Sequence, residues 1–128
     1  MIHLINVLLV DDSATMRKIV RRKMKEVGFI VDEFLEAADG KQALEKVFNN
    51  SVDLILLDWN MPVMNGLEFI QALRSIDLPK RIPVIMVTTE GSHEKVNEAI
   101  KSGVDGHILK PIDAEQLLDV LGEYLSIE

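Results

Sequence analysis

Apolar residues follow two alternating rhythms along this chain. Five short runs are rich in apolar residues: Ile5–Val10, Val31–Ala37, Val52–Leu57, Pro83–Val87 and His107–Leu109. Between them the spacing lengthens to three and four residues, the helical period. Met16, Ile19, Val20, Met24 and Val27 form one stripe, closed by Gly28, a residue suited to a left-handed helix stop. Ala43, Leu44, Val47 and Phe48 form the second stripe, and Leu67, Ile70 and Leu73 the third. Val96, Ala99 and Ile100 precede Gly103, and Leu117, Leu118, Leu121 and Leu125 end the series. Strands alternating with helices predict an α/β fold, a (βα)5 doubly wound five-stranded parallel sheet. Three of the runs are almost continuously apolar, as expected of strands covered on both faces. The mixed run "VDEFLEA" reads as an edge strand.

The remaining bulk features narrow the class. A length of 128 residues with 48% hydrophobic content suits one compact domain, and no linker, repeat or low-complexity tract divides it. A net charge of -7 argues against nucleic acid or an anionic membrane as the main partner. With no cysteine, disulfides, thiol catalysis and thiolate zinc sites are excluded. The opening "MIHLINVLLV" lacks a basic leader and a small-residue cleavage site, so it reads as a buried strand rather than a signal peptide. No apolar run approaches membrane-spanning length. A cytoplasmic protein is expected.

In doubly wound sheets, ligands bind beyond the carboxyl ends of the strands. There the first run gives way to Asp11-Asp12, the third to Asp58, the fourth to Thr88-Thr89 and the fifth to Lys110-Pro111. Three converging carboxylates repel one another and lose hydration, so they call for a cation. Oxygen ligands without neighbouring Cys or His favour a hard ion, and Mg²⁺ with some retained waters fits better than an enclosed calcium cage. Lys110 adds a positive charge and Thr88 a hydroxyl donor. This set suits a phosphoryl group, with a carboxylate attacking in line. Asp58, ending a central strand, is the candidate nucleophile.

Four motifs in order, "VDDS", "LLDWNMPVMNG", "VTTEG" and "LKPI", resemble the receiver domain of two-component response regulators, over essentially the whole chain. Length and "DWNMP" resemble the single-domain chemotaxis members in particular. The resemblance implies the flavodoxin-like strand order 2-1-3-4-5, of which chemotaxis receivers are a standard example. It implies that Asp58 takes a phosphoryl group from a sensor histidine kinase or phosphotransfer protein. Asp12 would bind Mg²⁺ directly, Asp11 largely through water, with Asp58 and the main-chain carbonyl of Asn60 completing the protein ligands. Thr88 would move to bond the phosphoryl group, Lys110 would pair with it, and the Lys110–Pro111 bond would be cis. Asn60 and Glu90 would modulate the rate at which water removes the phosphate. Such a protein is a signalling switch, with slow autophosphorylation and autodephosphorylation, rather than an enzyme. A single receiver domain over 1–128 with no output domain is expected, so output falls to protein binding at the fourth helix, fifth strand and fifth helix. The target in chemotaxis would be the flagellar motor switch, and the molecule a monomer. The alternative is a phosphorelay intermediate passing the group onward.

One position departs from the family. Three residues before Lys110 the pattern carries Tyr or Phe, the ring that turns inward on activation; here His107 stands, smaller, polar and of a type that titrates near neutral pH. A pH-dependent gate at His107 is therefore expected. Rival classes fit less well. A haloacid dehalogenase-like phosphohydrolase needs a second acid where Asn60 stands, because an amide cannot protonate the leaving group. A flavin-binding module needs a phosphate loop that "DDSATM" would repel.

Other residues have plainer readings. Asp11-Asp12 alone would be an acid cluster favoured at a helix N-terminus, and Thr88 alone a strand end. Trp59 reads as a partly exposed ring beside the site, Asn65-Gly66 as a turn, and His3 and His93 as surface residues. Arg17, Lys18, Arg21, Arg22, Lys23 and Lys25 give the first helix a basic outer face, either solvated or docking an acidic kinase or phosphotransfer domain.

Overall fold

The computed structural model describes residues 4–127, and His3 lies outside the described residues. Strands and helices alternate strictly: β1 Asn6–Val10, α1 Ala14–Val27, β2 Glu33–Ala37, α2 Gly40–Asn49, β3 Leu54–Asp58, α3 Gly66–Arg74, β4 Val84–Thr88, α4 His93–Ser102, β5 Gly106–Leu109 and α5 Ala114–Leu121. The strands form one sheet in the order β2-β1-β3-β4-β5, every pairing parallel. This is the expected (βα)5 fold, and the mixed run does occupy an edge, as β2.

Because successive side chains on a strand point to opposite faces, each central strand feeds two cores. Leu8, Val10, Ile55, Leu57 and Met86 pack with Ala43, Val47, Phe69, Ile70 and Ala99 from α2, α3 and α4. Val7, Leu9, Leu54, Leu56 and Val87 pack with Val20, Met24, Leu117 and Leu121 from α1 and α5. The helical stripes are narrower than their periodicity implies. Ile19, Phe48, Ile100 and Leu118 are 37%, 63%, 51% and 42% exposed, since a helix lying on a sheet buries only the residues aimed at it. α5 ends at Leu121, and Leu125 is buried from the turn beyond it.

Each helix begins on a side chain able to accept a backbone N–H: Ser13, Asp39, Asn65, Ser92 and Asp113. Such caps contribute about 1 kcal/mol each. Asn65 does more than turn the chain, because it forms a full capping box with Glu68. Gly28 and Gly103 close α1 and α4 at φ 97 and 114, a conformation that costs glycine least. Two strand ends also extend further than the apolar runs. β3 includes Asp58 and β4 includes Thr88, because both still pair in register with the next strand. Their side chains are thus aimed by strand geometry rather than by a loop. No described helix is long and apolar enough to cross a membrane.

Candidate functional site

Register brings the polar residues together. Val10 pairs with Leu57, so the next residues, Asp11 and Asp58, leave adjacent strands at the same level. Thr88 pairs with Leu109, and the Lys110 N–H donates to the Thr88 carbonyl at 2.9 Å, which places Lys110 on the same edge. Asp11 is pinned by its own N–H, which donates to the Ala37 carbonyl at 3.1 Å. Its Oδ1 accepts the Ser13 N–H at 2.9 Å. The Lys110–Pro111 bond is cis.

The charges that meet here are mostly acidic. Asp11, Asp12 and Asp58 each offer a carboxylate oxygen within 4.8 Å of the others. Asp11 and Asp58 are only 7% and 6% exposed, while Asp12 faces solvent. Lys110 Nζ lies 3.4 Å from Asp58 Oδ1 and 3.5 Å from Asp11 Oδ2. Burial, reinforced by the Asp11 charge, pushes the Asp58 carboxyl above its ordinary range; Lys110 and the Asn60 N–H pull the other way without cancelling it. The trio fits a hard divalent cation, being all carboxylate oxygen, close-set and under-neutralised by one lysine.

The remaining expected residues lie on β4 and β5 or in the loops that follow β3 and β4. Thr88 is 1% exposed, and its hydroxyl accepts the Glu90 N–H at 3.0 Å; the Glu90 side chain is exposed. Asn60 reaches the cluster through its main chain and is otherwise exposed. Trp59 is half-buried against the α2–α3 core. Gly66 makes its place possible, since a Cβ there would lie 2.6 Å from the indole Cε3. His107 pairs with Met86 in β5. Ile108 faces α5, so His107 points to the α4 side.

Spacing alone groups Arg17 with the outer basic face of α1, but its side chain turns inward. Its guanidinium donates to the Asp11 carbonyl and pairs with Glu36 at 2.9 Å, with Arg21 on the same carboxylate at 3.4 Å. A basic residue one turn after an acid pair is a weak signal in sequence; only the neighbouring β2 supplies the acid that draws it in.

Residues 7–122 match the response regulator receiver domain family. The chain is 43% identical over 115 residues to chemotaxis protein CheY1 of Helicobacter pylori, covering 89% of this chain and 91% of that one. Its fold superposes on chemotaxis response regulator CheY4 of Vibrio cholerae with a TM-score of 0.83 at 39% identity, over 94% and 98% of the two chains. It also matches a chain of the CheX–CheY–BeF3–Mg²⁺ complex of Borrelia burgdorferi, with a TM-score of 0.80 at 30% identity, over 95% and 90%. With these likenesses spanning nearly its full length, the chain belongs to the response regulator receiver domain family, of the CheY type found in chemotaxis.

Proposed function

We propose that Asp58 is the phosphoacceptor of a chemotaxis signalling switch. The observation that carries this reading is a single buried carboxylate, at a central strand end, shared between an ammonium and a second buried acid. Asp11, Asp12 and Asp58, with the Asn60 carbonyl, would hold Mg²⁺. When bound, the ion supplies positive charge that offsets the carboxylates and the phosphoryl oxygens.

The chain's own residues do the rest. The donor is a phosphohistidine of a sensor kinase or phosphotransfer protein. An Asp58 carboxylate oxygen attacks phosphorus in line, the P–N bond breaks, and its electron pair leaves with the donor imidazole. Lys110, already at Asp58, pairs with a phosphoryl oxygen. Thr88 exchanges the Glu90 N–H for a bond to another, which loosens the β4–α4 connection. That local change biases the α4–β5–α5 face, where His107 sits, between two arrangements read by a partner. The flagellar motor switch is that partner in the chemotaxis reading. Asn60 and Glu90 flank the phosphoryl group and set how fast water removes it, and small phosphodonors load Asp58 slowly without a kinase. The molecule works as a cytoplasmic monomer.

Trp59 supplies the test. Its emission should respond to Mg²⁺, and respond again when beryllofluoride is added to the Mg²⁺-loaded protein. In Asp58→Ala the second response should vanish. An unchanged beryllofluoride response in that variant would move the acceptor elsewhere.

A further inference from the structure

Gln116 is the third residue of α5, and Asp113-Ala114-Glu115-Gln116 has the form of a capping box. Only half of the box forms. Asp113 Oδ1 accepts the Gln116 N–H at 2.9 Å, but the Gln116 amide bypasses the cap backbone and reaches β5. Its Oε1 accepts the Leu109 N–H at 2.9 Å, and its Nε2 donates to the Leu109 carbonyl at 3.0 Å and the Pro111 carbonyl at 3.3 Å. Asp113 Oδ2 lies 3.4 Å from the same nitrogen.

The placement is specific. β5 is the last strand of the sheet. Lys110 bonds inward, through its N–H to Thr88, so by alternation the Leu109 N–H and carbonyl face the open edge. One side-chain amide therefore stands where a sixth strand would, satisfying both groups of one residue. That residue immediately precedes Lys110.

We propose that Gln116 is a positioning residue for Lys110. Its amide holds the backbone of Leu109 to Pro111 from the outer edge while Thr88 holds it from the inner one. The lysine stem thus starts from a fixed point, and its ammonium reaches the anion on Asp58 with little orientational freedom left to lose. The role rests on the reading of Asp58 as phosphoacceptor. It is separable from the metal site, because the acids stand in the loop after β1 and at the end of β3, whereas the hydrogen bonds of Gln116 go to Leu109, Pro111 and Asp113.

Trp59 emission in the full chain again gives the readout, first with Mg²⁺ alone and then with beryllofluoride at saturating Mg²⁺. Gln116→Met keeps the bulk and loses the bonds. Gln116→Glu has no N–H to give the Leu109 and Pro111 carbonyls, and its carboxylate is free to turn to the cap backbone, completing the capping box and placing an acid in the first helical turn. Both variants should bind Mg²⁺ as the wild type does and need on the order of tenfold more beryllofluoride, with Gln116→Glu no less stable to heat. If the residue only stabilised α5, Gln116→Glu would match or exceed the wild type; that result, or a beryllofluoride loss that merely follows Mg²⁺ affinity, overturns the proposal. Should Gln116→Met fail to fold, Gln116→Glu decides alone. A wild-type chain indifferent to beryllofluoride would instead defeat the phosphoacceptor reading and this role with it.

Discussion

Lys110 and Asp58, 52 residues apart in sequence, meet with Nζ 3.4 Å from Oδ1. The same ammonium lies 3.5 Å from Asp11, so one positive charge serves two buried carboxylates, with Asp12 close by. The cluster is therefore held together by the fold against its own repulsion, a condition that suits binding and costs stability.

Removing the central charge should stabilise the metal-free protein. The Asp58 carboxyl is raised from its ordinary value of 3.8, so the native state holds its proton more tightly than the unfolded chain does. Native stability therefore falls as pH rises from about that ordinary value through the raised one. Asp58→Asn escapes this loss. Urea unfolding in a chelator should show it more stable at neutral pH by about 1–2 kcal/mol, with the advantage shrinking in acid. A less stable variant at neutral pH would contradict the charge assignment.

Gly66→Ala should disturb the site through Trp59. The added methyl would lie 2.6 Å from Cε3 and 2.9 Å from the Trp59 Cα, and the second contact is backbone, which yields little. A cost of about 1–3 kcal/mol is expected, together with a shifted Trp59 emission maximum. Wild-type stability and emission would mean that the β3–α3 loop is looser than it stands here.

On α1, Glu36 pairs with Arg17 and Arg21, while Lys18, Arg22 and Lys25 line an open groove together with Glu26. If this face docks an acidic donor protein, reversing the three charges should slow phosphotransfer from that protein and flatten its salt dependence. Loading from acetyl phosphate should stay as it was. Equal protein-donor rates in the variant and the wild type would mark the face as merely solvated.

At His107 an imidazole stands where Tyr or Phe is expected, a smaller and more polar ring. Binding of the activated form to its partner should change in His107→Phe. Equal binding by the two proteins would remove His107 from the switch.

Much of this architecture is legible in the sequence because its signals are local. Continuous apolar runs report parallel strands, three-to-four spacing reports helices, and the polar residue ending each run marks the edge where Asp11, Asp58, Thr88 and Lys110 gather. What the sequence hides depends on neighbours distant in the chain. Arg17 looks like part of a basic face until Glu36 of β2 draws it inward. Gln116 looks like a capping residue until the free edge of β5 claims its amide. Phe48 and Ile100 look like core until the width of the sheet contact leaves them outside. In each case periodicity gives the helix but not the surface it meets.

The most direct measurement is phosphoryl incorporation from acetyl phosphate, followed by intact mass and mapped to a residue, with Mg²⁺ and with chelator. The expected result is one phosphoryl group per chain, on Asp58, with Mg²⁺ present, and none with chelator or in Asp58→Asn. Label on another residue, or equal labelling without divalent ion, would contradict the assignment of Asp58 and its acidic neighbours.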